Sequence, residues 1–296
     1  MNNTISTFKI TDSQQNEYYG GDQSWYSSNT RAMAGCSSVA AANSLRSLCF
    51  ADANCRKIIS DSKTIPYPVK RALLSKDCNK EDYLMLMTLA YEVIRAFEIF
   101  PLNIIYDRKN RENKFFKYVK PNNGRSSIGF ISGTLRLAKK LGLFLKCHPL
   151  PTAFCTKESA IRFIDEGLKN SGSVVLLTSY NKHSLKLFHF TMLNKLLDNS
   201  NPNSYTDCPC GEASMKCHFA TIIGRRGEDV MISTWGRVAT TTIDELVSSW
   251  HSIKAWESAL FYFTPADRTT MRHNILTSWK PFFKGIVQAI FRKSFS

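Results

Sequence analysis

The 296-residue sequence predicts an α+β fold, with an N-terminal helical lobe followed by a C-terminal antiparallel sheet lobe. Two observations predict it. Apolar residues recur at helical spacing through most of the first half, and short β-rich runs set off by turn residues fill the second. Composition agrees: 43% hydrophobic and 21% charged residues are those of an ordinary globular chain with ample material for a core.

Residues 1–20 are polar and read as loosely ordered. From Ser38 onward, Ala41, Leu45, Leu48 and Cys49 mark a helix. Its N-terminus falls at or beside Cys36, where Ser37 or Ser38 is available for capping. EDYLMLMTLAYEVIRAFEIF (81–100) is apolar nearly all round and predicts a buried helix, preceded by Asn79 and stopped by Pro101. ISGTLRLAKKLGL (131–143) predicts a third helix ending near Gly142. A fourth follows in TKESAIRFIDEGLKNSG (156–172), with Thr156 as N-cap and Gly172 beyond its end.

The texture then changes. SVVLLTS (173–179), KLFHFTM (186–192), CHFATIIG (217–224), DVMIST (229–234) and SALFYFT (258–264) read as strands, the third and fourth joined by the hairpin-like loop RRGED. TTIDELVSSW (241–250) predicts a short helix before the last strand. The expected organisation is one domain over residues 1–266, its helical lobe at about 22–150 and its sheet lobe at about 151–266, followed by a basic tail at 267–296.

A net charge of +15 favours anionic partners. Much of it sits in residues 103–125 (Arg108, Lys109, Arg111, Lys114, Lys117, Lys120, Arg125) and in the tail (Arg268, Arg272, Lys280, Lys284, Arg292, Lys293). In residues 274–296 a stripe of Phe282, Ile286, Ala289 and Ile290 runs beside those cations. The tail is thus a candidate for lying on an anionic membrane surface, or for packing on the domain. Nucleic acid is not expected as a partner, since charge alone, without a recognised motif, points to it. The N-terminus lacks the pattern of a signal peptide, and no stretch of about 18 apolar residues exists to cross a membrane. With nine cysteines and no export signal, the expected setting is a reducing cytoplasm with free thiols.

One of those thiols stands apart. In RAMAGCSSVAAANSL (31–45), Cys36 follows a glycine and opens a helix of small residues. A helix N-terminus lends partial positive charge that lowers a thiol pKa, and Gly35 lets a substrate backbone come close. Such a nucleophile needs a base, and histidine is the natural one. His218 opens an apolar strand whose hairpin partner carries ISTWG, which places it opposite the Ser233–Trp235 region; His189, on a strand of similar quality, is the rival.

Gly-Cys at a helix start, a long gap, His on a strand, then a strand ending in Ser-Thr-Trp-Gly: this order resembles the papain-like cysteine peptidase superfamily. GCSSVAAANSL is closest to its bacteriocin-processing, double-glycine-cleaving branch. GGDQSWY with AGCSSVAAAN and HFATIIG with ISTWGR also resemble uncharacterised bacterial relatives. The resemblance implies a papain-like fold in which Cys36 is the nucleophile and His218 the general base and acid. Gln23 matches the glutamine that completes the oxyanion hole with the Cys36 N–H, although Asn29 is the amide nearer in sequence. Ser233 stands where papain has asparagine; its hydroxyl can accept from the imidazole, less firmly than an amide or carboxylate. Trp235 would shield that bond from water.

DCPCGEASMKCH (207–218) brings Cys208, Cys210 and Cys217 close to His218, a set able in principle to hold zinc. The C-x-C spacing is not the usual one, and adjacent Cys217 and His218 would project to opposite faces of a strand. The expectation is no metal, no cofactor, and a loop with exposed thiols. The chain is therefore expected to be a cysteine peptidase or related thiol amidohydrolase acting on a peptide or protein through a thioester, with acyl transfer to an amine as a variant. The alternative is a catalytically weak or inactive papain-like module that meets an anionic partner through its basic surfaces.

Overall fold

The computed structural model describes residues 8–27, 35–95, 127–152, 155–178, 185–191, 213–215, 218–250 and 258–267. The architecture is α+β. In chain order it runs β1 (Lys9–Thr11), β2 (Glu17–Tyr19), a 3₁₀ turn (Gln23–Trp25), α1 (Cys36–Ala51), α2 (Ala53–Asp61), α3 (Tyr67–Leu74), β3 (Cys78–Asn79), α4 (Lys80–Arg95) and α5 (Ser127–Lys140). Then follow β4 (Leu145–Pro151), α6 (Lys157–Ser171), β5 (Val174–Leu177), β6 (Leu185–Thr191), β7 (Ala213–Met215), β8 (Phe219–Arg226), β9 (Asp229–Thr234), β10 (Arg237–Thr242), α7 (Ile243–Ser248) and β11 (Ala259–Pro265).

The main sheet has the order β4-β11-β5-β8-β9-β10-β6-β7, and each described neighbour pair is antiparallel. Its central strands are covered on both faces. Along β5, Val175 and Leu177 join the core shared with α1, α4 and α5, while Val174 and Leu176 join the core beneath α6 and α7. A strand alternates its side chains between faces, so one buried twice must be apolar throughout, as VVLL is.

Helix α1 runs through the interior between α3 and α4 on one side and β8 on another, and every residue from Cys36 to Cys49 is buried. Its alanines and serines allow that close approach. Arg46, wholly buried, donates to the carbonyls of Ala72 and Ser75, the latter at 2.8 Å, and so places a cation at the C-terminal end of α3. Arg46→Met keeps the bulk and removes the donors, leaving both carbonyls short of a partner. A loss of about 3 kcal/mol in unfolding free energy is expected from urea titration, well beyond the effect of an ordinary polar substitution.

Several elements differ from the sequence reading. Residues 8–20 are not loose: β1 and β2 pair as a hairpin and β3 adds to β1 in parallel, making a second small sheet. β4 lies where the helical lobe was expected. It holds Pro149 and Pro151 because it is an edge strand, where proline costs no ladder bond. α2, α3, β7 and β10 were not foreseen. α6 matches closely: Thr156 caps it with a reciprocal bond to Ser159, and Gly172 ends it at φ +72°. The last residues of 81–100, Pro101, the basic segment 103–125 and the tail from 268 lie outside the described residues. No helix among the described residues is long and apolar enough to cross a membrane.

Candidate active site

Cys36 is the first residue of α1, and its N-cap is Gly35, which has no side chain to cap with. Ser38 turns its hydroxyl back to the Gly35 carbonyl at 2.7 Å and meets the Tyr26 hydroxyl at 2.7 Å; Tyr26 in turn donates to the Met87 carbonyl. The expected serine cap is therefore absent, and the N–H groups of Cys36 and Ser37 point to the sulfur instead. The thiol does not follow the helix-terminus expectation either. Burial pushes its pKa up, outweighing hydrogen bonds from the backbone of Phe219, Ser37 and Cys36 that favour thiolate. Only 5% of Cys36 is exposed.

The same Phe219 follows His218, so the chain brings that histidine to the helix start. Thr178, just past β5, fixes the His218 backbone on both sides. It accepts from the His218 N–H at 3.1 Å and donates its own N–H to the His218 carbonyl at 3.0 Å. The ring Nε2 lies 2.9 Å from Thr234 Oγ1. Trp235 covers the ring, with centroids 5.0 Å apart and planes tilted by 37°. Burial lowers the imidazole pKa from 6.5 to about 4.

Trp235 reaches that position through an uncommon backbone. It and Gly236 form the two-residue turn between β9 and β10, closed by the pairing of Thr234 with Arg237, at φ +50° and +69°. Two positive φ values are what a type I′ hairpin needs. Glycine takes such a conformation freely; for tryptophan it costs about 1 kcal/mol. Strain of this kind gathers at functional sites.

Ser233 is not the imidazole's partner. Its hydroxyl donates to the Tyr19 carbonyl at 2.7 Å and faces Asn43, whose Nδ2 is 3.4 Å away. Asn43 also donates to Thr221 at 3.2 Å and accepts from the Gly21 N–H and the Tyr83 hydroxyl. This buried network ties the 19–21 segment to α1, α4 and the sheet. Ser233 is expected from the sequence to face the imidazole; the hydroxyl within hydrogen-bond distance of the ring is that of the next residue, Thr234, and adjacent strand residues point to opposite faces.

One pocket gathers Gly21, Gln23, Cys36, Asn43, His218, Thr234 and Trp235; no Asp, Glu, Lys or Arg is among its described lining residues. Gln23 thus joins Cys36 and His218, and its Oε1 is buried without a hydrogen-bond partner. The rival His189 lies on β6, three strands from β8, about 14 Å along the sheet by ordinary strand spacing. Asn29 lies outside the described residues, as do Cys208, Cys210 and Cys217. No group of three or more His, Cys, Asp or Glu able to hold a metal occurs among the described residues.

A histidine that resists protonation makes stability depend on pH. Between pH 6.5 and about 4 the unfolded chain takes up a proton at position 218 that the folded chain refuses. Stability from this residue is complete above pH 6.5 and lost as pH falls, by on the order of 3 kcal/mol. The expected result is that the unfolding free energy of the wild type, minus that of His218→Asn, shrinks by this amount from pH 7 to pH 4 in urea titrations. Comparison of the chain with protein-family models and with curated proteins finds no match.

Proposed function

We propose that the chain is a papain-like thiol enzyme, a cysteine peptidase or related amidohydrolase acting on a peptide or protein. The observation that carries this reading is the meeting of Cys36 and His218, far apart in the chain, in one pocket at the start of a buried helix. In the proposed cycle the Cys36 sulfur attacks the substrate carbonyl carbon as its proton passes to His218. The carbonyl electron pair moves onto oxygen, where the Gln23 amide and the Cys36 N–H are the candidate donors. The intermediate collapses, the C–N bond breaks, and His218 returns the proton to the leaving amine. A thioester remains on Cys36; water attacks it with His218 again taking a proton, the C–S bond breaks, the acid is released, and His218 returns the proton to the Cys36 sulfur. An amine in place of water would give acyl transfer.

The neutral lining supports a pair that rests as thiol and imidazole, and both pKa shifts point the same way. Iodoacetamide labelling tests the pairing. Trypsin releases residues 32–46 with Cys36 as their only cysteine, so mass spectrometry reads this thiol alone. At pH 7, His218→Ala is expected to slow labelling of that peptide about 10-fold or more, since the proton acceptor is gone. Equal labelling in the two proteins would refute the reading.

A further inference from the structure

We propose that Thr234 is the positioning residue of the site: its hydroxyl accepts the Nε2 proton of His218, holds the imidazole as the Nε2–H tautomer and leaves Nδ1 as the base for the Cys36 thiol. This rests on the reading of Cys36 and His218 as nucleophile and base, and it assigns the orienting role to a residue type outside the asparagine that the resemblance implies.

Three features of the fold carry the inference. The Nε2 to Oγ1 separation of 2.9 Å is a full hydrogen bond. The ring has little freedom to seek another partner: Thr178 fixes the backbone on both sides, and Trp235, held in the turn at φ +50°, covers a face. The neighbouring hydroxyl, Ser233, is committed to the Tyr19 carbonyl. A neutral imidazole carries one proton, so fixing it on Nε2 fixes which nitrogen can accept another.

A hydroxyl differs from a carboxylate in what it supports. It orients the ring but adds no negative charge to stabilise an imidazolium. Thr234 therefore suits a pair that stays neutral at rest and transfers its proton only as the sulfur–carbon bond forms. The proton leaves Sγ for Nδ1 during attack and leaves Nδ1 for the amine nitrogen during collapse, while the Nε2–H···Oγ1 bond persists throughout.

Nitrogen NMR of the His218 ring in the wild-type protein at pH 7 tests this without any substitution. The expected spectrum has Nε2 protonated and Nδ1 bare; the opposite tautomer, with Nε2 accepting from the threonine, overturns the proposal. Thr234→Val removes the hydroxyl at constant shape. It is expected to lose the tautomer preference and to slow acylation of Cys36 by p-nitrophenyl acetate about 10- to 100-fold, whereas Thr234→Ser restores both. A valine variant that acylates as fast as the wild type, with the tautomer unchanged, also overturns it. His218→Ala separates the two levels. If that change leaves acylation untouched, the thiol–imidazole reading itself fails; if it slows acylation and Thr234→Val does not, only the role of Thr234 fails.

Discussion

Cys36→Ala is expected to abolish acylation by p-nitrophenyl acetate at this site, and Cys36→Ser to lower its rate at least about 1,000-fold. An active-site thiol is intrinsically far more nucleophilic than a hydroxyl, and a serine in the same place would rely wholly on His218 to remove a proton held more tightly. The measurement is the burst of p-nitrophenol with the acetyl group located on residues 32–46. The pH dependence of the burst in the wild type carries the second half of this expectation. A base with its pKa lowered to about 4 is ready well below the usual histidine range, so the acid limb falls near pH 4, not 6.5. The raised thiol pKa means that the rate depends on proton transfer within the pair and not on a standing thiolate. A burst that survives Cys36→Ala, mapped to another residue, would end the assignment.

Gly20→Ala is expected to cost about 3–4 kcal/mol of stability, the largest loss from adding a single methyl group at this site. Two effects add. Gly20 sits at φ +81°, where an L side chain is strained by about 1–2 kcal/mol. A Cβ there would also lie 2.2 Å from Ser233 Oγ and 2.8 Å from Asn43 Nδ2. Neither atom can retreat cheaply, because both belong to the buried network that joins Tyr19, Gly21, Thr221 and Tyr83. Forcing Ser233 away breaks its bond to the Tyr19 carbonyl, worth about 1–2 kcal/mol when left unsatisfied. Urea unfolding monitored by tryptophan fluorescence gives the value. A loss below about 1 kcal/mol would mean that the network is softer than its geometry suggests.

The site was legible in the sequence where local chemistry decides placement. Gly35-Cys36 before small residues marks a helix start, and His218 at the head of FATIIG marks a strand start; both stand where expected. α6 was equally readable because Thr156 and Gly172 are strong local start and stop signals. What escaped was set by partners distant in the chain. The hairpin of β1 and β2 is too short and polar to announce itself, and it persists because Tyr19 donates to the Gly236 carbonyl while Gly20 donates to that of Phe8. β4 was hidden by its prolines, since nothing local marks a strand as an edge. Thr234 could not be told from Ser233, because which residue of β9 meets His218 depends on the β8–β9 register, which shifts between Ile222 and Gly224. The raised thiol pKa reflects burial of α1 on all sides, which sequence periodicity registers only as a weak preference for one face.

The hydrogen bond from Ser233 to Tyr19 spans 214 residues of chain. During synthesis the first wall of the pocket therefore leaves the ribosome long before its last. A nascent polypeptide carrying Cys36 has no His218 beside it and no clamp for Gly20 until the strands of the final third have emerged. Any reactivity of Cys36 that depends on His218 must therefore await the strands that build the far wall of the pocket.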